Sequence, residues 1–235
     1  MPIQPTAHYA MGGLPTDLDG RVLSNAAGDT IPGLYSAGEN ACVSVHGANR
    51  LGTNSLVDLV VFGRRSGRQM LDYVKQADLP VLPPDPDFYA RAQVSELMAR
   101  PKGERVADLR RELQVMMMDK ASVVRTAESL TDATNAIHVL RDRYANASID
   151  DHGTTFNTDL TEALEFGAML ECADTLVTGA LARQESRGAH FRDDFQSRDD
   201  LNWLKHTMLK KTSGGLELTK RDVSITEFQP KERKY

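Results

Sequence analysis

Ser44-Val45-His46-Gly47-Ala48-Asn49-Arg50-Leu51-Gly52-Thr53-Asn54-Ser55-Leu56 is the stretch from which the rest of the chain is read. It gathers a histidine, an arginine, glycines, asparagines and serine, and a helical pattern opens directly after it. Glycines let the backbone approach a bound group closely. An arginine can set two parallel donors against a carboxylate or phosphate, and Asn54 or Ser55 can cap a helix that begins near Leu56. Any one of these residues alone reads as a structural turn with a surface arginine. Their density reads as a ligand loop.

The surroundings of the loop set the fold class. Ten of the 17 glycines fall within the first 67 residues, where apolar stretches are short and punctuated, a sheet-and-loop composition. Leu34-Tyr35-Ser36-Ala37, after Pro32-Gly33, reads as a short buried strand ended by Gly38-Glu39. The region from Leu18 to Leu23 reads as one arm of a hairpin whose turn is Ala27-Gly28-Asp29. From Ser55 to about Gln76 the pattern is helical. Leu79 to Pro86 then carries four prolines, a linker signal.

Beyond the linker the sequence is helical throughout. Val106, Leu109, Leu113 and Met116 recur at helical spacing, as do Val123, Ala127, Leu130, Ile137, Leu140 and Tyr144. A third run holds Leu160, Leu164, Leu170, Ala173, Val177 and Leu181. Three such helices can share one apolar centre, so a three-helix bundle is expected. After about His190 the chain turns polar, with short strands expected at Trp203 to Leu209 and Leu216 to Lys220. The fold class is therefore α+β.

Bulk properties narrow the partners. With 28 basic and 33 acidic side chains and a net charge of −5, nothing electrostatic favours nucleic acid or an anionic membrane. Cys42 and Cys172 stand far apart and outside any CxxC spacing, which fits a reducing compartment and argues against a disulfide framework or a zinc site. No apolar run reaches the ~20 residues needed to cross a bilayer, and no signal peptide is evident. Small molecules and other proteins are the expected partners, with no direct membrane insertion.

The loop has companions along the chain. Upstream stand Pro5-Thr6-Ala7-His8-Tyr9-Ala10-Met11-Gly12-Gly13 and Ile31-Pro32-Gly33-Leu34-Tyr35-Ser36-Ala37-Gly38-Glu39. Downstream come Glu185-Ser186-Arg187-Gly188-Ala189-His190, Arg198-Asp199-Asp200-Leu201-Asn202-Trp203 and Pro230-Lys231-Glu232-Arg233-Lys234-Tyr235. In order and spacing these resemble the second half of the flavoprotein subunit of succinate dehydrogenase and its relative fumarate reductase. The resemblance covers the whole chain. It implies that residues 1–82 are the carboxy-terminal segment of an FAD-binding α/β domain carrying dicarboxylate-site residues, 83–190 a helical bundle and 191–235 an irregular or β tail.

The resemblance also implies roles. His8 and Arg50 would bind the two carboxylates of a four-carbon substrate; imidazole and guanidinium both donate to carboxylate oxygens. Glu39, Ser55 and Leu56 would contact FAD, the last two at a helix amino terminus directed at the flavin. By residue type alone, His8 reads as a packed or surface histidine and Glu39 as a strand-end acid. His46 is expected to make a structural hydrogen bond, Arg64, Arg65 and Arg68 to form a solvated face, and Met116, Met117 and Met118 to fill core. The Arg187/His190 and Arg198-Asp199-Asp200 clusters are expected to fasten the tail to the domains by ion pairs.

For the intact enzyme, the resemblance implies succinate oxidation to fumarate, with a hydride passing to FAD and a proton to an arginine expected upstream. No catalytic residue is assigned in this chain, and no metal ligand. Electrons would leave through an iron-sulfur subunit and membrane anchor subunits to quinone. The complex would lie on the cytoplasmic face of a bacterial inner membrane, or the matrix side of a mitochondrial one.

No GxGxxG occurs, and the chain reads as the carboxy-terminal part of the subunit. On its own it is expected to bind FAD weakly or not at all and to be inactive. The flanks favour succinate dehydrogenase over fumarate reductase and leave L-aspartate oxidase a poorer match. A non-catalytic helical interaction module, about Asp87 to Arg187, is the reading from another class.

Overall fold

Each of the three apolar periodicities produces a helix. Val106–Lys120, Ala127–Ala145 and Thr158–Ala182 pack together in the computed structural model, which describes residues 8–231. Pro5–Ala7 and Glu232–Tyr235 of the quoted motifs lie outside the described residues. In chain order the elements are β1 (Leu14–Pro15), β2 (Arg21–Leu23), β3 (Thr30–Tyr35), β4 (Ala41–Cys42) and α1 (Asn54–Gln76). They continue with α2 (Phe88–Ala99), α3 (Val106–Lys120), β5 (Val124–Arg125), α4 (Ala127–Ala145) and α5 (Thr158–Ala182). The last four are β6 (Phe191–Arg192), α6 (Asp200–Trp203), β7 (Lys205–Thr212) and β8 (Gly215–Asp222).

Two compact units result. The first holds Ala77–Gln184 and His190–Gln196, and the second holds His8–Gln76, Glu185–Ala189 and residues 197–231.

The helical unit is built on one apolar core. Leu109, Leu130, Ala133, Ile137, Leu140, Ala163, Phe166 and Val177 are fully buried in it. The bundle gains a fourth helix beyond the three expected, because α2 contributes Leu97 to the same core. Val123 does not join α4. Thr126 caps that helix, accepting from the Ser129 N–H while Ser129 Oγ accepts from the Thr126 N–H, so the chain before it is extended and Val123 is left exposed. Asn157 caps α5 in turn.

Met116 and Met117 pack against the core, as expected, whereas Met118 is exposed. The carboxy-terminal end of α5 is closed by Arg192. This fully buried guanidinium donates to the Ala180, Leu181 and Arg183 carbonyls and forms a two-pronged pair with Asp194 at 2.8 Å.

The second unit is sheet, loop and one long helix. The expected hairpin forms between β2 and β3, antiparallel with an irregular register, and Val22 and Leu23 turn inward. The strand anticipated at Leu34 is not buried. It is the end of β3, which runs through Pro32, and Ile31 and Leu34 stay exposed because β3 pairs with β2 alone. Proline is tolerated there because the opposite edge needs no donor.

The tail forms the β7–β8 hairpin, paired over its full length from Lys205↔Asp222 to Thr212↔Gly215. Trp203 belongs to α6 rather than to β7, because Asp199 caps a short helix there and accepts the Asn202 N–H. Among the described residues no helix is long and apolar enough to cross a membrane, and no cluster of His, Cys, Asp or Glu is placed to hold a metal.

Candidate functional site

β1 and β4 pair in parallel, Leu14↔Ala41 and Pro15↔Cys42, so the segments entering them lie side by side. This brings the His8 motif to the Gly38-Glu39 motif: the Ala10 N–H donates to Glu39 Oε1 at 3.0 Å. Glu39 is exposed, and its second oxygen is left for another donor. His8 is exposed at the head of this segment and makes no hydrogen bond to another described residue.

The loop from Ser44 to Thr53 is held from several directions within this unit. Ser44 Oγ hydrogen-bonds His206 Nε2 on β7 at 2.7 Å. The Ala189 N–H donates to the Ala48 carbonyl at 2.9 Å. His46 Nε2 lies 3.0 Å from Asp58 Oδ2, and Asp58, one turn into α1, is buried. His46 thus makes the structural hydrogen bond expected of it. Tyr9 Oη sits 3.3 Å from the same nitrogen, with the two rings edge to face. Burial, then the Asp58 and Glu39 carboxylates, push the Tyr9 phenol above its ordinary pKa, against a Ser55 hydrogen bond and Arg50.

Arg50 is half-buried, its guanidinium carbon 4.5 Å from the Tyr9 ring centroid, and Nη1 donates to the Leu51 carbonyl at 3.1 Å. Arg50 Nε, His46 Nδ1 and Asp58 Oδ1 are all buried without a hydrogen-bond partner. Three such atoms at one loop–helix junction mark a polar cluster incomplete as it stands, since a buried orphan costs about 1–3 kcal/mol.

α1 begins at Asn54, and its first amides point out of the helix end. Ser55 is half-buried beside Tyr9. Leu56 is exposed, with its N–H turned back to the Thr53 carbonyl at 3.1 Å, so Ser55 offers the freer amide. The residues the structure brings together are therefore Glu39, Arg50 and Ser55, with Leu56 at the rim and His8 at the head of the neighbouring segment.

Sequence reasoning missed Tyr9 and Asp58. Tyr9 was legible as the aromatic inside the His8 motif, and Asp58 as the acid interrupting Leu56-Val57-Leu59-Val60-Val61. Of the helix arginines, all three are exposed as expected, but Arg65 also donates to the Leu18 carbonyl and to Asp19. The tail clusters are tied within this unit as anticipated: Arg187 bridges fully buried Glu185 and Asp200, and Arg198 pairs with Asp200.

His190 departs from that expectation. In the helical unit it is a neutral acceptor for Arg125 at Nδ1 and a donor to the Arg183 carbonyl at Nε2. Burial, with Arg125, Arg183 and Arg192 nearby, brings its pKa down to about 4.

Comparison with known proteins fixes the family. A model described as the fumarate reductase flavoprotein C-terminal domain matches residues 110–235, more than half of the chain. The chain belongs to the succinate dehydrogenase/fumarate reductase flavoprotein family. A second model, the FAD binding domain, matches residues 1–56, and FAD is the cofactor of the domain to which this segment belongs.

The chain is 43% identical over its full length to the fumarate reductase flavoprotein subunit of Mycobacterium tuberculosis, of which it covers 40%. It is 41% identical to the succinate dehydrogenase flavoprotein subunit of Rickettsia bellii, over 96% of this chain and 39% of that one. Among solved structures, E. coli quinol fumarate reductase superposes with a TM-score of 0.87 at 36% identity, covering 99% of this chain and 39% of that chain. The chain thus spans about two fifths of the length of the flavoproteins it matches.

Proposed function

We propose that this chain supplies the carboxylate anchors and part of the FAD-contacting wall of a flavoprotein that interconverts succinate and fumarate. The observation carrying this reading is Arg50. Its guanidinium is set against one aromatic face and one carbonyl, with Nε buried and unpartnered in a cluster whose other orphans are His46 Nδ1 and Asp58 Oδ1. An incoming carboxylate would satisfy Nε and a terminal nitrogen together, the two parallel bonds that guanidinium geometry favours. His8, exposed beside this loop's neighbour Glu39, would donate to the second carboxylate.

The residues also fit FAD. Glu39 keeps one oxygen for a hydroxyl, and the Ser55 end of α1 presents amide hydrogens and the positive end of the helix dipole. FAD, when bound, supplies the two-electron acceptor or donor. The chain's own residues bind and orient the dicarboxylate and stabilise negative charge at the helix end, a positioning role. The proton-transferring arginine is assigned to the amino-terminal part of the fold.

The M. tuberculosis and Rickettsia relatives carry the two names at nearly equal identity, so succinate oxidation is not favoured over fumarate reduction. An iron-sulfur subunit and membrane anchor subunits are the proposed partners, placing the protein peripherally on the cytoplasmic face of a membrane. The test is co-expression with the amino-terminal part of the fold, followed by succinate-dependent dye reduction. His8→Ala and Arg50→Ala should each lower turnover roughly 10²-fold or more. Undiminished turnover in both variants would overturn the assignment.

A further inference from the structure

The side chains around Arg50 are built as a chain of contacts, and no role has yet been given to the aromatic member, Tyr9. Asp58, buried on α1, accepts from His46 at 3.0 Å; His46 meets the Tyr9 hydroxyl at 3.3 Å and its ring edge to face; the Tyr9 ring face lies under the Arg50 guanidinium at 4.5 Å. Among the described residues Arg50 forms no ion pair, and its one side-chain hydrogen bond is to the next residue's carbonyl. A long side chain with four flexible torsions and so few partners would otherwise sample many orientations, and would have to be ordered when it binds.

We propose that Tyr9 is a positioning residue for the dicarboxylate: its ring, fixed by the His46–Asp58 pair, pre-orients the Arg50 guanidinium for a substrate carboxylate. This rests on the reading that Arg50 binds that carboxylate. The aromatic ring occupies only the guanidinium face, so the edge, where the N–H donors not given to the Leu51 carbonyl lie, is left to an in-plane carboxylate. The His46–Asp58 pair keeps the ring from turning, and the aromatic face itself is what Arg50 uses. Tyr9→Phe should therefore preserve most of the effect and Tyr9→Leu should lose it.

The experiment measures fumarate affinity by calorimetry, without an electron donor, on the flavoprotein assembled from this chain and the amino-terminal part of the fold. Four proteins form a double-mutant cycle: unsubstituted, Tyr9→Leu, Arg50→Ala and the pair. Tyr9→Leu is expected to weaken fumarate about fivefold to tenfold when Arg50 is present. It should change little when Arg50 is already alanine, and Tyr9→Phe should stay within about twofold.

Equal effects of Tyr9→Leu in both backgrounds, or none in either, would overturn the proposal while leaving Arg50 as an anchor. Unchanged affinity in Arg50→Ala would instead overturn the underlying reading. Should Tyr9→Leu fail to fold, the isosteric Asp58→Asn takes its place in the cycle. It should weaken fumarate about threefold, again only when Arg50 is present; an Arg50-independent effect or no effect would contradict the proposal.

Discussion

Ser44 and Thr53, at the two ends of the ligand loop, both take left-handed backbone conformations, with φ of 77° and 68°. Such conformations cost non-glycine residues about 1–2 kcal/mol each, and they persist only where neighbouring structure over-determines them. Here the neighbours are His206, Ala189 and Asp58. Gly188 shows how closely the loop is braced, because a Cβ there would stand 2.4 Å from the Ala48 carbonyl oxygen; Gly47, with nearly the same φ, has open space. Gly188→Ala should therefore destabilise the second unit by about 2–3 kcal/mol and Gly47→Ala by about 1, compared by urea unfolding. Equal losses would mean that the brace contributes nothing.

His190 gives a pH signature at the same scale. Its folded pKa, about 4, lies below the ordinary 6.5, so between those values the unfolded chain binds the proton and the folded chain does not. The stability it protects is present above pH 6.5 and is lost as pH falls toward 4, about 1–2 kcal/mol after allowance for solvent screening of a half-buried ring. Melting temperatures at pH 7 and pH 5 should show this fall, and His190→Gln should flatten it. At this scale the proximity of Arg50 to Ser55 was legible in sequence, since both sit in one dense motif. Tyr9 and Asp58 stood in plain view in their motifs, but what they contact was not legible, because it depends on pairing between β1 and β4 and on the first turn of α1.

Among elements, α1 carries the clearest mismatch between composition and surroundings. Its buried residues are Asp58 and Ser66, while Leu56, Val57, Val60, Leu71 and Val74 are each more than half exposed. A helix with polar residues inward and apolar residues outward is the inverse of an ordinary surface helix. The part of the flavoprotein length that this chain does not span is the occupant we propose for this face. Val60→Glu with Val74→Glu should leave the melting temperature of this chain within a degree or two, since neither side chain is buried. The same pair should abolish co-purification with the amino-terminal part, and unchanged co-purification would contradict that role for the face.

Helices were legible from spacing because the apolar repeat survives whatever lies around it. β3 was misjudged for the converse reason: strand burial depends on partners that a local pattern does not contain. α2 lay in the stretch read as helical but outside the three bundle helices, because of its residues only Leu97 and Met98 join the core cluster.

At the scale of the molecule, one unit has a core of its own and the other holds the residues proposed for the site. The helical core is continuous from Leu97 to Ala180 and is closed by Arg192, so residues 83–196 should unfold in a single cooperative transition when expressed alone. A broad, non-cooperative melt would show that this core depends on the rest of the chain. The family was legible because short motifs kept their order across the whole sequence.

The second unit, by contrast, leaves one edge of β3, the outer face of α1 and four buried polar atoms, on Thr16, His46, Arg50 and Asp58, without complements. The central claim is that this chain furnishes one side of a flavin and dicarboxylate site whose other side comes from the amino-terminal part of the fold. The most direct test is the flavin absorbance of the purified chain, alone and co-expressed with that part. The account predicts no bound FAD alone and near-equimolar FAD in the assembled pair; stoichiometric FAD on the 235-residue chain by itself would contradict it.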